Sequence, residues 1–302
     1  MELIQLIRII SIIICVFGLI MHSVGIIAII LSKIRSIQTT ILLHLSIVDI
    51  FLICWLVRRE LYFYEDFHLN TYIDQEKMRI LLYNTFPWNG TFYCLGSQFA
   101  FIMTVMTIDR LICVTKPLFY NTRMKRSFIC KVLLMGWLYS ITIGVVFGVF
   151  STTQYSLYFF GLSLWVAYFV LAVSTYVTIF LRIRASKRRF ASGTSTERSS
   201  WKFYIVSGLI VGTYFIFYLI SGVVMSSMRS KPYTRQKCLI YEGFWILLAV
   251  GFASDAMIYV FLQKDFRYIV LGWFCNRRQN RRPNIHQFNI NNTVQNFSNT
   301  CV

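Results

Sequence analysis

Acidic side chains are scarce in this sequence. Twelve Asp and Glu stand against thirty Lys and Arg, and only 14% of the 302 residues carry charge. A soluble domain of this size needs more polar surface than that, so the composition excludes one. Cysteine chemistry is missing too. Cys15, Cys54, Cys94, Cys113, Cys130, Cys238, Cys275 and Cys301 are scattered, and no pair has metal-ligand spacing. No His/Cys/Asp/Glu cluster offers a nucleophile with its base or an open metal site, so an enzyme is not expected. What the chain has in quantity is hydrocarbon: 57% hydrophobic residues, 17% aromatic, and a mean hydropathy of +0.60. That is the composition of a polytopic membrane protein.

A helix needs roughly 20 apolar residues to cross the hydrocarbon layer. Seven runs meet that length, at about residues 9–31, 41–62, 90–114, 130–150, 155–183, 203–228 and 239–262. The second requires continuation past Arg58 and Arg59. The first is too long for a signal-peptide core and has no clean small-residue cleavage site after it, which makes it a retained span. Seven spans use most of the chain. The expected fold is an all-α seven-helix membrane bundle over residues 1–275. A short amphipathic helix at 264–274 would lie on the inner leaflet, and a disordered cytoplasmic tail at 276–302 would follow. The amino terminus is too short for a ligand-binding ectodomain. With it placed outside, 21 of the 30 Lys and Arg fall on the cytoplasmic side and nine outside. That is the positive-inside bias, and it turns the net charge of +18 into a topology signal rather than a nucleic-acid one.

Charge inside such runs is expensive and tends to mark function. The third run closes with Asp109 and Arg110 side by side, followed by Pro117, Leu118 and Tyr120 as a helix stop and turn. The second carries Asp49 near mid-membrane, where a carboxylate must be paired, protonated or bound to an ion or water. The seventh carries Asp255 and Tyr259, then Phe266 and Arg267, and Trp137 stands in the fourth. Asp109-Arg110, Asp49 in Leu45-Ser46-Ile47-Val48-Asp49, Trp137, and Asp255-Ala-x-x-Tyr259 with Phe266-Arg267 together resemble rhodopsin-like G protein-coupled receptors. The similarity extends over nearly the whole chain, in divergent form. Leu111 stands where the family has Tyr, His22 where it has Asn, and Ala256 where it has Pro; Tyr218 and Ile220 take the sixth-span Trp and Pro places.

The resemblance implies a plasma-membrane receptor that passes an extracellular signal to a heterotrimeric G protein and engages arrestin. Asp109 would hold Arg110 at rest; movement of the sixth span would free it toward Tyr176 and the G protein, with Tyr218, Asp255 and Tyr259 taking part in the switch. Asp49 and Asp255 would form a polar centre able to hold Na+. Without the resemblance, a transporter or channel using those two carboxylates explains them almost as well. A receptor-shaped protein that no longer couples is a third reading, because the Pro residues and the usual disulfide are missing.

Phe92 stands where amine receptors of the family carry Asp, and Ala249 where opsins carry the retinal Lys, so neither ligand is expected. Thr85 occupies the usual disulfide position, and Cys94 with Cys238 is a substitute pair. Arg229, Lys231, Arg235 and Lys237 are either a solvated loop or a docking patch for a peptide or small anionic ligand. Ser200 replaces the acidic latch for Arg110, with Glu197 about a turn earlier, so some ligand-independent signalling is expected. Asn89-Gly90-Thr91 is a sequon on the outer side, and Cys275 is placed for palmitoylation. Lone His22 is better explained as a hydrogen-bonded packing residue than as a switch.

Overall fold

The computed structural model describes residues 2–32, 36–69, 86–150, 155–189, 208–209, 212–213, 216–217 and 235–262. Nearly all of them are helical. The helices are α1 (Glu2–Ser32), α2 (Ile37–Leu69), α3 (Phe86–Thr115), α4 (Pro117–Arg123), α5 (Arg126–Phe150), α6 (Tyr155–Arg189) and α7 (Arg235–Leu262). Among the described residues four stretches are long and apolar enough to cross a membrane: Gln5–Leu31, Ile37–Leu61, Gly90–Thr115 and Arg126–Gly148. Val166–Arg182 of α6 is a shorter apolar stretch.

The helix ends follow local chemistry. Ser36 caps α2 reciprocally with Thr39: the Ser36 hydroxyl accepts from the Thr39 N–H at 3.1 Å, and the Thr39 hydroxyl accepts from the Ser36 N–H at 3.0 Å. The next residue, Thr40, accepts a bond from the Arg126 Nε at 2.9 Å, tying the start of α5 to the start of α2. The helix α2 does continue past Arg58 and Arg59, ending at Leu69. The expected stop is found, since α3 ends at Thr115, but the expected turn over residues 117–120 is helix. The chain breaks only at Lys116, and Pro117 then starts α4, because the first helical position tolerates a missing N–H and a fixed φ. Tyr120 is therefore helical.

Packing puts α2 and α3 at the centre. Helix α1 lies against α2 and α7, while α3 lies against α2, α5 and α6. About half of the apolar stretches of α2 and α3 is buried, against little more than a quarter for α1 and α5. The uncovered faces of those outer helices present Leu6, Ile13, Phe17 and Ile20, and Leu134, Leu138 and Val145. Such faces need an apolar solvent, since water would oppose their exposure and lipid does not. The core between α2, α3 and α7 is built on Leu45, Leu52, Phe99, Ile102, Leu248 and Phe252.

The joint between α3 and α5 depends on glycine. A Cβ on Gly144 would stand 2.6 Å from the Cys94 Cβ and 2.7 Å from the Gly90 carbonyl oxygen. The two backbones meet there with no room for a methyl group. That contact also bears on the substitute disulfide. Cys94 packs against Gly144 of α5 as a free thiol, and the side chain of Cys238 lies outside the described residues.

Candidate functional site

Polar side chains are buried at three heights in this apolar bundle. The first lies where α3 ends. Arg110 Nη2 is 3.3 Å from Asp109 Oδ2, and both side chains are almost fully buried. Helix α4 brings Tyr120 over this pair, and its hydroxyl donates to Asp109 Oδ1 at 3.0 Å. One carboxylate thus takes a guanidinium on one oxygen and a phenol on the other. Burial first, and the Asp109 charge second, push the Tyr120 phenol above its ordinary value, so it stays a donor. Tyr120→Phe should lower the thermal midpoint of the detergent-solubilised chain by the equivalent of up to about 2 kcal/mol. An acid whose folded pKa is raised stabilises below its unfolded pKa and loses that contribution above it. The deficit should therefore be flat through neutral pH and shrink only beyond about pH 10. A deficit that changed between pH 6 and 8 would assign the effect to another group.

The second height is mid-bundle. Asp49 of α2 and Asp255 of α7 are wholly buried, as is His22 of α1. His22 Nε2 lies 3.0 Å from the Phe252 carbonyl oxygen, which requires the tautomer with the proton on Nε2, and 3.7 Å from Asp49 Oδ2. Thr213, in the sixth run, donates to Asp255 Oδ1 at 2.8 Å. Neither oxygen of Asp49, nor Asp255 Oδ2, has a hydrogen-bond partner among the described residues. A turn above Asp255, Gly251 receives Phe217 of the sixth run so closely that an added Cβ would be 2.8 Å from the Phe217 Cβ. Ile216 and Phe217 are π-helical, and a π-bulge is one of the few causes of a helix kink where proline is lacking.

The third height, toward the opposite end, was not anticipated. Arg8 of α1, Arg59 and Glu60 of α2 and Glu242 of α7 are all buried and converge. Arg8 Nη2 donates to Glu242 Oε1 at 2.9 Å, and Arg59 Nη1 donates to Glu60 Oε1 at 2.6 Å. Two longer approaches close the ring: Arg59 to Glu242 at 3.5 Å and Arg8 to Glu60 at 4.0 Å. The Arg59 guanidinium sits 4.4 Å from the centroid of Trp245. Trp245 in turn packs with Trp55 at 5.5 Å and Phe92 at 5.9 Å. Phe92, noted for what it excludes, is thus part of an aromatic wall. The available signal was that Arg8 flanks a run free of charge and that Glu242 shares its run with Asp255 alone.

Other expected residues are placed less fully. Tyr176 lies on α6, half-buried against the core, as does Trp137 on α5; Ala249 is fully buried in α7. The side chains of Asn89, Cys238 and Tyr259, and all of Glu197, Ser200, Tyr218, Ile220, Arg229, Lys231, Phe266, Arg267, Cys275 and segments 264–274 and 276–302, lie outside the described residues. Among the described residues no three His, Cys, Asp or Glu side chains gather as around a metal ion. No protein-family model matches the chain, and no curated protein matches its sequence.

Proposed function

We propose that this chain is a divergent rhodopsin-like G protein-coupled receptor of the plasma membrane, a seven-span bundle with its amino terminus outside. The observation that carries the reading is the pairing of Arg110 with Asp109 at one end of a bundle whose middle buries Asp49 and Asp255. In this reading the resting state keeps the Arg110 guanidinium on Asp109, with Tyr120 steadying the carboxylate. An agonist works by binding more tightly to a form in which the sixth span has moved and Arg110 is released toward the G protein. The contacts Thr213–Asp255 and Phe217–Gly251 are where that span would break from α7.

The mid-bundle carboxylates fit a monovalent cation, because three of their four oxygens accept no hydrogen bond among the described residues. Asp49, Asp255 and Thr213 would hold it. The ion would supply the positive charge that lets two carboxylates share one buried space. The same orphaned oxygens favour one other reading, a carrier that uses Asp49 and Asp255 as a proton or cation site.

Arg110→Ala distinguishes the two. In a receptor it should abolish G protein recruitment per molecule that reaches the cell surface. In a carrier it should leave cation or proton flux intact. Recruitment that survives the substitution, with normal expression, would end the receptor reading.

A further inference from the structure

We infer that the buried four-charge cluster is a binding site for an organic carboxylate with an aromatic or alkyl body, which takes the place of Glu242 on Arg8 and Arg59. The inference deepens the receptor reading by naming the ligand class, and it rests on that reading only for the consequence of binding.

Four desolvated charges make a costly helix joint. Apolar side chains of similar volume would usually hold α1, α2 and α7 together as well or better, so strength alone does not account for the cluster. Its members are not equally fixed. Arg59 is held to Glu60, its neighbour on α2, at 2.6 Å, and lies on the face of Trp245. Glu242 is the acid that α7 brings to the cluster among the described residues, and both guanidiniums meet on it, Arg8 at 2.9 Å and Arg59 at 3.5 Å. Arg59 would stay in place on Glu60 and Trp245, so a carboxylate that took the place of Glu242 would meet both guanidiniums. A guanidinium recognises a carboxylate through parallel N–H donors, and Trp55, Phe92 and Trp245 beside it offer apolar rings to whatever the carboxylate is attached to.

The sign of the ligand follows from the same asymmetry. A cationic ligand would have to expel Arg59 from both Glu60 and its aromatic face, whereas an anion replaces Glu242 charge for charge and restores the bonds to Arg8 and Arg59. Arg235 and Lys237 stand within two turns of Glu242 in the sequence, with no acid between Arg229 and Lys237. A basic sequence of this kind attracts an anion at long range. Once Glu242 has left Arg8, α7 loses its outer tether to α1.

The test is thermal unfolding of the purified full chain in detergent, with a series of indole-, phenyl- and straight-chain alkanoates. The matched neutral amides and primary amines are run beside them, each up to about 10 mM, where even a ~1 mM ligand is near saturation. At least one alkanoate should raise the midpoint saturably, by a few degrees once it is well above its Kd. Its amide and amine should not. Arg59→Lys keeps the charge but loses the fork and the stacking geometry, and should weaken binding at least tenfold. If it does not fold, Arg8→Lys with the same ligand takes its place. No shift from any alkanoate, equal shifts from amide or amine, or an unchanged Kd in the lysine variant would each overturn the inference. The measurement involves no G protein. Alkanoate binding without any signalling would therefore count against the receptor reading and leave this site standing.

Discussion

Glu242→Ala is expected to cost about 3–5 kcal/mol of stability, the usual penalty when one partner of a buried ion pair is removed and the other is left uncompensated. Here the penalty falls on two groups at once. Glu242 receives Arg8 at 2.9 Å and Arg59 at 3.5 Å, and all three side chains are almost wholly buried. Without it, three charges would remain in a space that balanced four, two guanidiniums against one carboxylate. The loss should appear as a lowered unfolding midpoint in detergent and a reduced yield of folded protein. Glu242→Asp should recover part of it, because the charge returns on a shorter stem. A midpoint within experimental error of wild type for the alanine variant would show that water reaches these charges and that burial there is overstated.

Gly144→Leu should be comparably damaging for a steric reason. The position admits no Cβ: one built there stands 2.6 Å from the Cys94 side chain and 2.7 Å from a backbone oxygen of α3. Neither neighbour is the free end of a flexible side chain. The helices α3 and α5 must separate, and the contacts that flank the crossing are lost with them, including the 3.0 Å bond from Ser140 to Gln98. Overpacking by a single methyl already costs about 1–3 kcal/mol, so Gly144→Ala should be measurably weakened and Gly144→Leu should fail to yield monodisperse protein. Gly243→Ala is the control, since an added Cβ there meets nothing within 4 Å among the described residues. Equal behaviour of Gly144→Ala and Gly243→Ala would mean that the two backbones do not touch as described.

These two positions mark where sequence reasoning stops. Apolar runs declare helices because hydropathy is a local property, and Ile41 onward or Val132 onward could be assigned without knowing any neighbour. Asp49, Asp109, Arg110 and Asp255 were legible for a related reason: each is conspicuous against the hydrocarbon around it. The pairing of Asp109 with Arg110 is adjacent in sequence and therefore visible. The bond from Tyr120 was hidden because Pro117, which does follow the end of α3, also starts the next helix.

The outer cluster was hidden by a different logic. Arg8 stood just outside its run, and a charge there looks like a boundary; instead α1 begins six residues earlier and carries Arg8 inward. Nothing in the spacing of Arg8, Arg59, Glu60 and Glu242 says that three helices meet around them. The glycine joint has the same character. Gly90, Gly136 and Gly144 read as ordinary small residues until the partner helix shows which of them has another backbone against it. Long-range complementarity leaves no local periodicity to find.

The double hold of α1 on α7 has a mechanical consequence. Arg8 takes α7 at Glu242, and His22 takes it again at the carbonyl of Phe252. Ten residues separate the two grips, about 15 Å of helix, and Ala256 supplies no proline hinge below them. A rod splinted at two points resists bending between them. Displacement at its amino-terminal end would then arrive at Asp255 largely undiminished, as a slide or a roll of the whole helix against its splint.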